Sequence, residues 1–167
     1  MPELVHVGYG RSITLETALD ENADIISQVT HFAAAEKLSR ELWDNRRTIA
    51  ALVRHHLGLG DGDSCHVEPR DGWIRGGFNI CVLVKVQSRD ARHSRRLIFR
   101  CPMAHKLAET SYPGTVDEKL GCEIGMYAWM QDWCADIRIP YLYGFGFSDH
   151  RHVRRSCRLG FRADPCA

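Results

Sequence analysis

Residues 73–146 carry four segments in a fixed order: W-I-R-G-G-F-N-I-C-V-L-V-K-V at 73–86, R-R-L-I-F-R-C-P at 95–102, D-E-K-L-G-C-E-I-G-M-Y-A-W-M at 117–130, and I-P-Y-L-Y-G-F-G at 139–146. In the first, Ile80, Val82, Val84 and Val86 alternate with Cys81, Leu83 and Lys85, which predicts a strand of period two whose second face is partly apolar. Leu97, Ile98 and Phe99 open a second strand, and Pro102 ends it because proline has no N–H for a ladder. Tyr112-Pro113-Gly114-Thr115 reads as a turn, with Thr115 expected as an N-cap and Glu118 completing a capping box. Leu120, Ile124, Tyr127 and Met130 then fall on one helix face, in a helix expected to stop before Ile139-Pro140.

Outward from this stretch the chain divides into four pieces. Residues 1–24 set Glu3, Glu16, Asp20, Glu21 and Asp24 against Arg11 with weak periodicity, and are expected as an acidic flexible arm. Residues 25–60 are a helical segment in which Leu38, Leu42, Ile49, Val53 and Leu57 recur mostly at helical spacing. Asp44-Asn45 is a candidate break within it, Gly58 is a C′ residue, and G-L-G-D-G-D at 58–63 is a loop by composition. Residues 61–149 form the β-rich piece, and 150–167 a basic irregular tail in which Arg151, Arg154, Arg155, Arg158 and Arg162 face only Asp149 and Asp164.

The 167 residues suit one domain of ordinary size, and 44% hydrophobic with 26% charged residues is the balance of a globular protein. A net charge of +1 gives no strong steering of the whole molecule towards nucleic acid or acidic membranes. No apolar run approaches ~18 residues, and the N-terminus lacks a basic-then-apolar leader pattern. The cysteines at 65, 81, 101, 122, 134, 157 and 166 are odd in number, scattered and free of C-x-x-C pairs, which suits reduced thiols in the cytoplasm.

Two features could carry chemistry, and three smaller ones read as structural or match no known site. Gly76-Gly77-Phe78-Asn79 lies between β segments, where glycine could free backbone N–H groups to face phosphates; it is equally an ordinary hairpin turn. Arg100 could grip phosphate oxygens bidentately, with Glu123 fixing its direction if the helix packs back over the sheet; otherwise the two are a solvated cation and a solvated helix face. The adjacent His55-His56 pair points to different sides of a helix end and reads as structural. His150, His152, Cys157 and Cys166 match no common zinc spacing. Trp129 and Trp133, four apart, read as packing residues.

The order W-I-R-G-G-F-N, L-I-F-R-C-P, D-E-K-L-x-x-E, I-P-Y-L-Y-G-F-G resembles the N-terminal lobe of the aminoglycoside phosphotransferase family, in its fungal branch, over roughly residues 38–149. The resemblance implies an α+β fold: a protein-kinase-like N-lobe of antiparallel sheet plus helix C, preceded by a helical segment, with the C-lobe absent. It makes Gly76, Gly77, Phe78 and Asn79 the nucleotide-covering turn, Arg100 the strand cation that holds phosphates, and Glu123 its helix-C partner. Glu118 and Lys119 match the opening of that helix, and Pro140 with Gly144 the following strand. ATP with Mg²⁺ is the implied cofactor of the parent family, and phosphoryl transfer to a small-molecule hydroxyl the implied activity.

The departures are as informative. The glycine turn lacks the full G-x-G-x-x-G, and no H-G-D or H-R-D with a downstream Asn follows it; His150-Arg151-His152 has histidine where the catalytic Asp belongs. The expectation is therefore a truncated, phosphotransferase-like chain that is inactive alone, with a nucleotide as a candidate partner, an acceptor the sequence does not identify, and no membrane association. The alternative is a non-catalytic, pseudokinase-like binding fragment that self-associates, or pairs with another protein, through the sheet face a C-lobe would cover. Nucleic-acid binding by the tail arginines is not expected, because aromatic residues are not interleaved with them.

Overall fold

The computed structural model describes residues 3–8, 11–89 and 94–154. Its core is a short antiparallel sheet covered on one face by two helices. The central strand, β5 (Asn79–Gln87), is the one read from alternation: Ile80, Val82, Val84 and Val86 are all buried, Val82 and Val84 completely. On one side β5 pairs with β6 (Arg95–Pro102), in register Cys81↔Arg100 and Val82↔Phe99. On the other it pairs with β3 (Ser64–Val67) along Val84–Gln87 and with β4 (Ile74–Arg75) along Ile80–Cys81, both antiparallel. These two strands lie end to end along one edge, separated by the single 3₁₀ turn Arg70–Gly72.

The helical segment is two helices, α2 (Ile25–Asp44) and α3 (Arg46–Leu57), interrupted at Asn45, where the sequence allowed a break. Asp24 caps α2 by accepting a hydrogen bond from the Ser27 N–H at 2.9 Å. Gly58 ends α3 in the left-handed region at φ 66°, its own N–H and that of Leu59 satisfying the last carbonyls, as a C′ glycine does. Ala35 and Ile49 are buried against the β5 valines and Met103, with Leu38, Leu42, Val53 and Leu57 packed around them. Of these, Leu38, Leu42, Ile49, Val53 and Leu57 are the positions the helical spacing had marked.

The described residues within 1–24, a segment expected as a flexible arm, include three short regular elements. β1 (Val5–Gly8) and β2 (Arg11–Ile13) form an antiparallel hairpin against α2, with Val7 and Ile13 buried, and the six-residue α1 (Leu15–Asp20) follows. The strands are too short for their alternation to stand out from the acidic residues around them. Helix α4 (Thr115–Trp133) starts after Gly114, so Thr115 is its first helical residue and not the N-cap. The capping acceptor comes instead from Glu109, whose carboxylate takes the Gly114 and Val116 N–H groups, each at 2.7 Å, and the Thr115 hydroxyl at 2.9 Å. Trp129 and Trp133 are 56% and 78% exposed, so their expected packing role is corrected: they line the outer side of α4. The last elements are β7 (Gly144–Gly146) and β8 (His152–Arg154), a small hairpin within the segment expected to be partly tail. The tail positions from 155 to 167 lie outside the described residues.

Candidate phosphate-binding site

Directly opposed residues of an antiparallel pair share a face, so Arg100 stands beside Cys81 on the sheet face away from α2 and α3. Ile98, two positions along β6 on that same face, is 52% exposed. Helix α4 meets the face at its Arg100 end. There Arg100 Nη2 lies 3.5 Å from Glu123 Oε2, with side chains 39% and 31% exposed. The strand cation and helix carboxylate that could not be shown as neighbours from sequence are therefore brought together.

Glu123 also accepts from Lys119 through its other oxygen, Oε1. One carboxylate thus serves two cations, and the cluster keeps a net charge of one positive unit beside a hollow of ≈ 310 Å³ lined by Arg100, Cys122, Glu123, Met126 and Tyr127. The Lys119 ammonium is 6.0 Å from the centre of the Phe78 ring, itself 52% exposed, which places the turn tip next to the cluster. Lys119 had no site role in the sequence reading. Its spacing of four from Glu123, which puts the two on one helix face, was the signal available.

The turn itself is tighter than an open phosphate cradle. The Gly76 N–H donates to Asn79 O at 2.9 Å and is thereby consumed. Gly76 and Gly77 are not among the glycines of positive φ, which are Gly58 and Gly114 among the described residues. Among the described residues, a Cβ on Gly77 would meet nothing within 4 Å, and one on Gly76 would meet Asn79 O at 3.5 Å. What these glycines supply is an unobstructed tip, not an unusual backbone. Asn79 is 8% exposed at the start of β5, withdrawn from that tip. The turn is pinned to the core by the Met103 N–H, which donates to Phe78 O at 2.8 Å, while the Met103 side chain is fully buried. Cys101, next to Arg100 but facing the core, has its thiol pushed up to about 11 by burial and is chemically quiet.

Two further polar clusters escaped the sequence reading because their members are far apart in the chain. Glu36 of α2 pairs with Arg70 at 3.4 Å and with Arg75 of β4, whose hydrogen bond chiefly holds the Glu36 carboxyl below its usual range. Arg70 Nε donates to the buried Ser39 hydroxyl at 3.2 Å, so this group clamps α2 to the split sheet edge. The second cluster gathers His55 and His56 with His152 of β8.

Among the described residues no group of three His, Cys, Asp or Glu side chains is arranged to hold a metal ion, so no magnesium ligand is assigned. No helix there is long and apolar enough to cross a membrane. Comparison of the chain with family models, with curated proteins and with solved structures yields no match.

Proposed function

We propose that this chain is a kinase-like nucleotide-binding lobe of the aminoglycoside-phosphotransferase type. In it Arg100, directed by Glu123 and assisted by Lys119, holds the phosphates of ATP beneath the Gly76–Asn79 turn. The observation that carries the reading is the Arg100–Glu123 contact at 3.5 Å, between a strand and a helix 23 positions apart, at the open end of a sheet face and next to an exposed turn. A guanidinium fixed on one side by a carboxylate keeps N–H donors free for a second, oxyanionic partner. Binding is what these residues support. Transfer of the phosphoryl group to a small-molecule hydroxyl needs a catalytic carboxylate and a metal-binding carboxylate that no motif in 1–167 provides.

The test is calorimetric. Wild-type protein should bind a non-hydrolysable ATP analogue more tightly than adenosine, and Arg100→Gln should erase that difference. Equal affinity for the two ligands in the wild type would sink the reading.

A second reading is favoured by one observation. Met126, Trp129 and Trp133 expose 57%, 56% and 78% of their surface along one side of α4, and Ile137 beyond it 52%. A stripe of that kind suits a non-catalytic lobe that docks a partner. It predicts concentration-dependent association that a Trp129→Glu, Trp133→Glu variant abolishes, and a wild type that stays monomeric at every concentration would dismiss it.

A further inference from the structure

The β7–β8 hairpin is held to the rest of the chain at two points of different chemistry. Its loop is tied to α4: the Ser148 N–H donates to Asp117 at 3.0 Å and the Ser148 hydroxyl to the same carboxylate at 2.5 Å. Its strands lie on the last turn of α3, and there the contact is made of histidines. The rings of His55 and His56 are 5.7 Å apart, and His152 of β8 sits 5.3 Å from the first and 5.1 Å from the second. Backbone and ring are pressed together, since a Cβ on Gly144 of β7 would collide with His56 Nδ1. That Nδ1 is buried with no hydrogen-bond partner among the described residues.

We propose that His55, His56 and His152 form an acid-released latch, holding the β7–β8 hairpin on the C-terminal turn of α3 while neutral and expelling it when His56 gains a proton. The argument is one of charge and accommodation. Protonation puts an N–H on both ring nitrogens of His56, and among the described residues Nδ1 has no acceptor to receive it. Among the described residues, the groups that bear electrostatically on the ring from α3 and β8 are His152, His55 and Arg154, all basic. The Arg154 guanidinium covers the end of α3, its Nη2 2.8 Å from where a Cβ on Gly58 would stand. Arg54, on α3, donates away from the cluster to the carbonyls of Asp63 and Gly60. Asp149, the acid in the hairpin loop, is occupied by Arg151.

Burial first, then these neighbours, hold the His56 imidazolium less stable than free histidine, so its folded value lies below 6.5. A basic group depressed in this way leaves the docked hairpin at full strength above 6.5. It weakens docking as pH falls through 6.5 towards the depressed value, because the released state takes up the proton more readily. The loop anchor at Asp117 carries no histidine, so release hinges the hairpin about α4. None of this depends on nucleotide binding at Arg100.

The experiment is NMR of the full chain from pH 8 to pH 5, following the His56 ring and its through-space cross-peak to Gly144. The expected result is a His56 midpoint below that of free histidine, with the cross-peak to Gly144 vanishing over the same pH window. His56→Phe, which keeps a ring and removes the proton, should hold the hairpin docked throughout. His152→Gln and Arg154→Gln, both at exposed positions, should each raise the His56 midpoint and keep the cross-peak to lower pH; they carry the test if His56→Phe does not fold. A Gly144 cross-peak that survives at pH 5 in the wild type overturns the latch, as does a midpoint unmoved in both exposed-site variants.

Discussion

Glu123 is the residue whose replacement separates a phosphate site from an ordinary surface ion pair. If the Arg100–Glu123 pair served stability alone, its half-exposed setting would make it worth about 0–1 kcal/mol. For a chain of this length that is at most about 4 °C in Tm. As a binding device it is worth more. Arg100→Gln deletes a charge-assisted hydrogen bond to the ligand, about 1.5–3 kcal/mol, which is about 10- to 150-fold in Kd. Glu123→Gln leaves the guanidinium in place and undirected, so its loss should be smaller, within about 10-fold, and Lys119→Gln should resemble it. The two positions act through one contact, so the losses should not add: Arg100→Gln with Glu123→Gln should bind no more weakly than Arg100→Gln alone. Titration calorimetry with a non-hydrolysable ATP analogue, at one fixed salt concentration, reads the wild type and each variant, and thermal unfolding run beside it checks that each is folded. Fully additive losses, or an Arg100→Gln protein that binds like the wild type at an unchanged Tm, would refute the reasoning.

Val84→Ala removes two methyl groups at a fully buried position between α2, α3 and the sheet. At about 0.8 kcal/mol each plus a residual cavity, it should cost about 2–3 kcal/mol by urea unfolding, and a cost below about 0.5 kcal/mol would mean the core is not assembled as described. Cys101, its thiol raised to about 11, should resist alkylation at pH 8 while the exposed Cys122 reacts, as peptide mass mapping will read; equal labelling of the two contradicts the assigned faces of β6. Glu109 is held below its ordinary carboxylate value of 4.5, first by the Gly114 N–H and then by that of Val116. A depressed acid stabilises above its unfolded value and loses that stabilisation as pH falls through the folded one. The first turn of α4 should accordingly loosen in acid below pH 4.5, and amide exchange at Gly114 and Val116 in Glu109→Gln should already be fast at neutral pH.

The core was legible because it rests on local periodicities. The valines of β5 and the leucines of α2 and α3 each declare a buried face within a few residues, and Gly58 marks a helix end by its own backbone preference. Two kinds of feature were not. The β1–β2 hairpin was hidden because strands of four and three residues give alternation no length in which to register, and burial of Val7 and Ile13 comes only from contact with α2. The cap of α4 was misplaced for a related reason: Glu109 reaches it from five to seven residues upstream, outside the short capping-box window. Of the site, Arg100 and Glu123 were visible only as candidates, since strand-to-helix proximity depends on how the connection folds. Glu36 with Arg70 and Arg75, and His56 with His152, have separations no local pattern encodes.

The position of α4 follows from a different balance than the position of the core. No residue of α4 is fully buried, and none of the apolar side chains packed against the main core comes from it. Its inward face is only half-buried, and its polar contacts include the Glu109 carboxylate on its first turn, the bond from Gln131 to the Pro140 carbonyl, the Arg100–Glu123 pair and the bonds from Ser148 to Asp117. Each such contact is worth on the order of 1 kcal/mol, so tilting the helix away from the sheet is inexpensive compared with opening the valine core. Arg100 is therefore directed only while α4 is seated, and any oxyanion that prefers a directed Arg100 must in turn favour the seated helix by the same free energy. If Arg100 holds phosphate as proposed, the site and the attachment of α4 are one equilibrium: a phosphate ligand should slow amide exchange along α4 while leaving β5, buried in the core, unchanged.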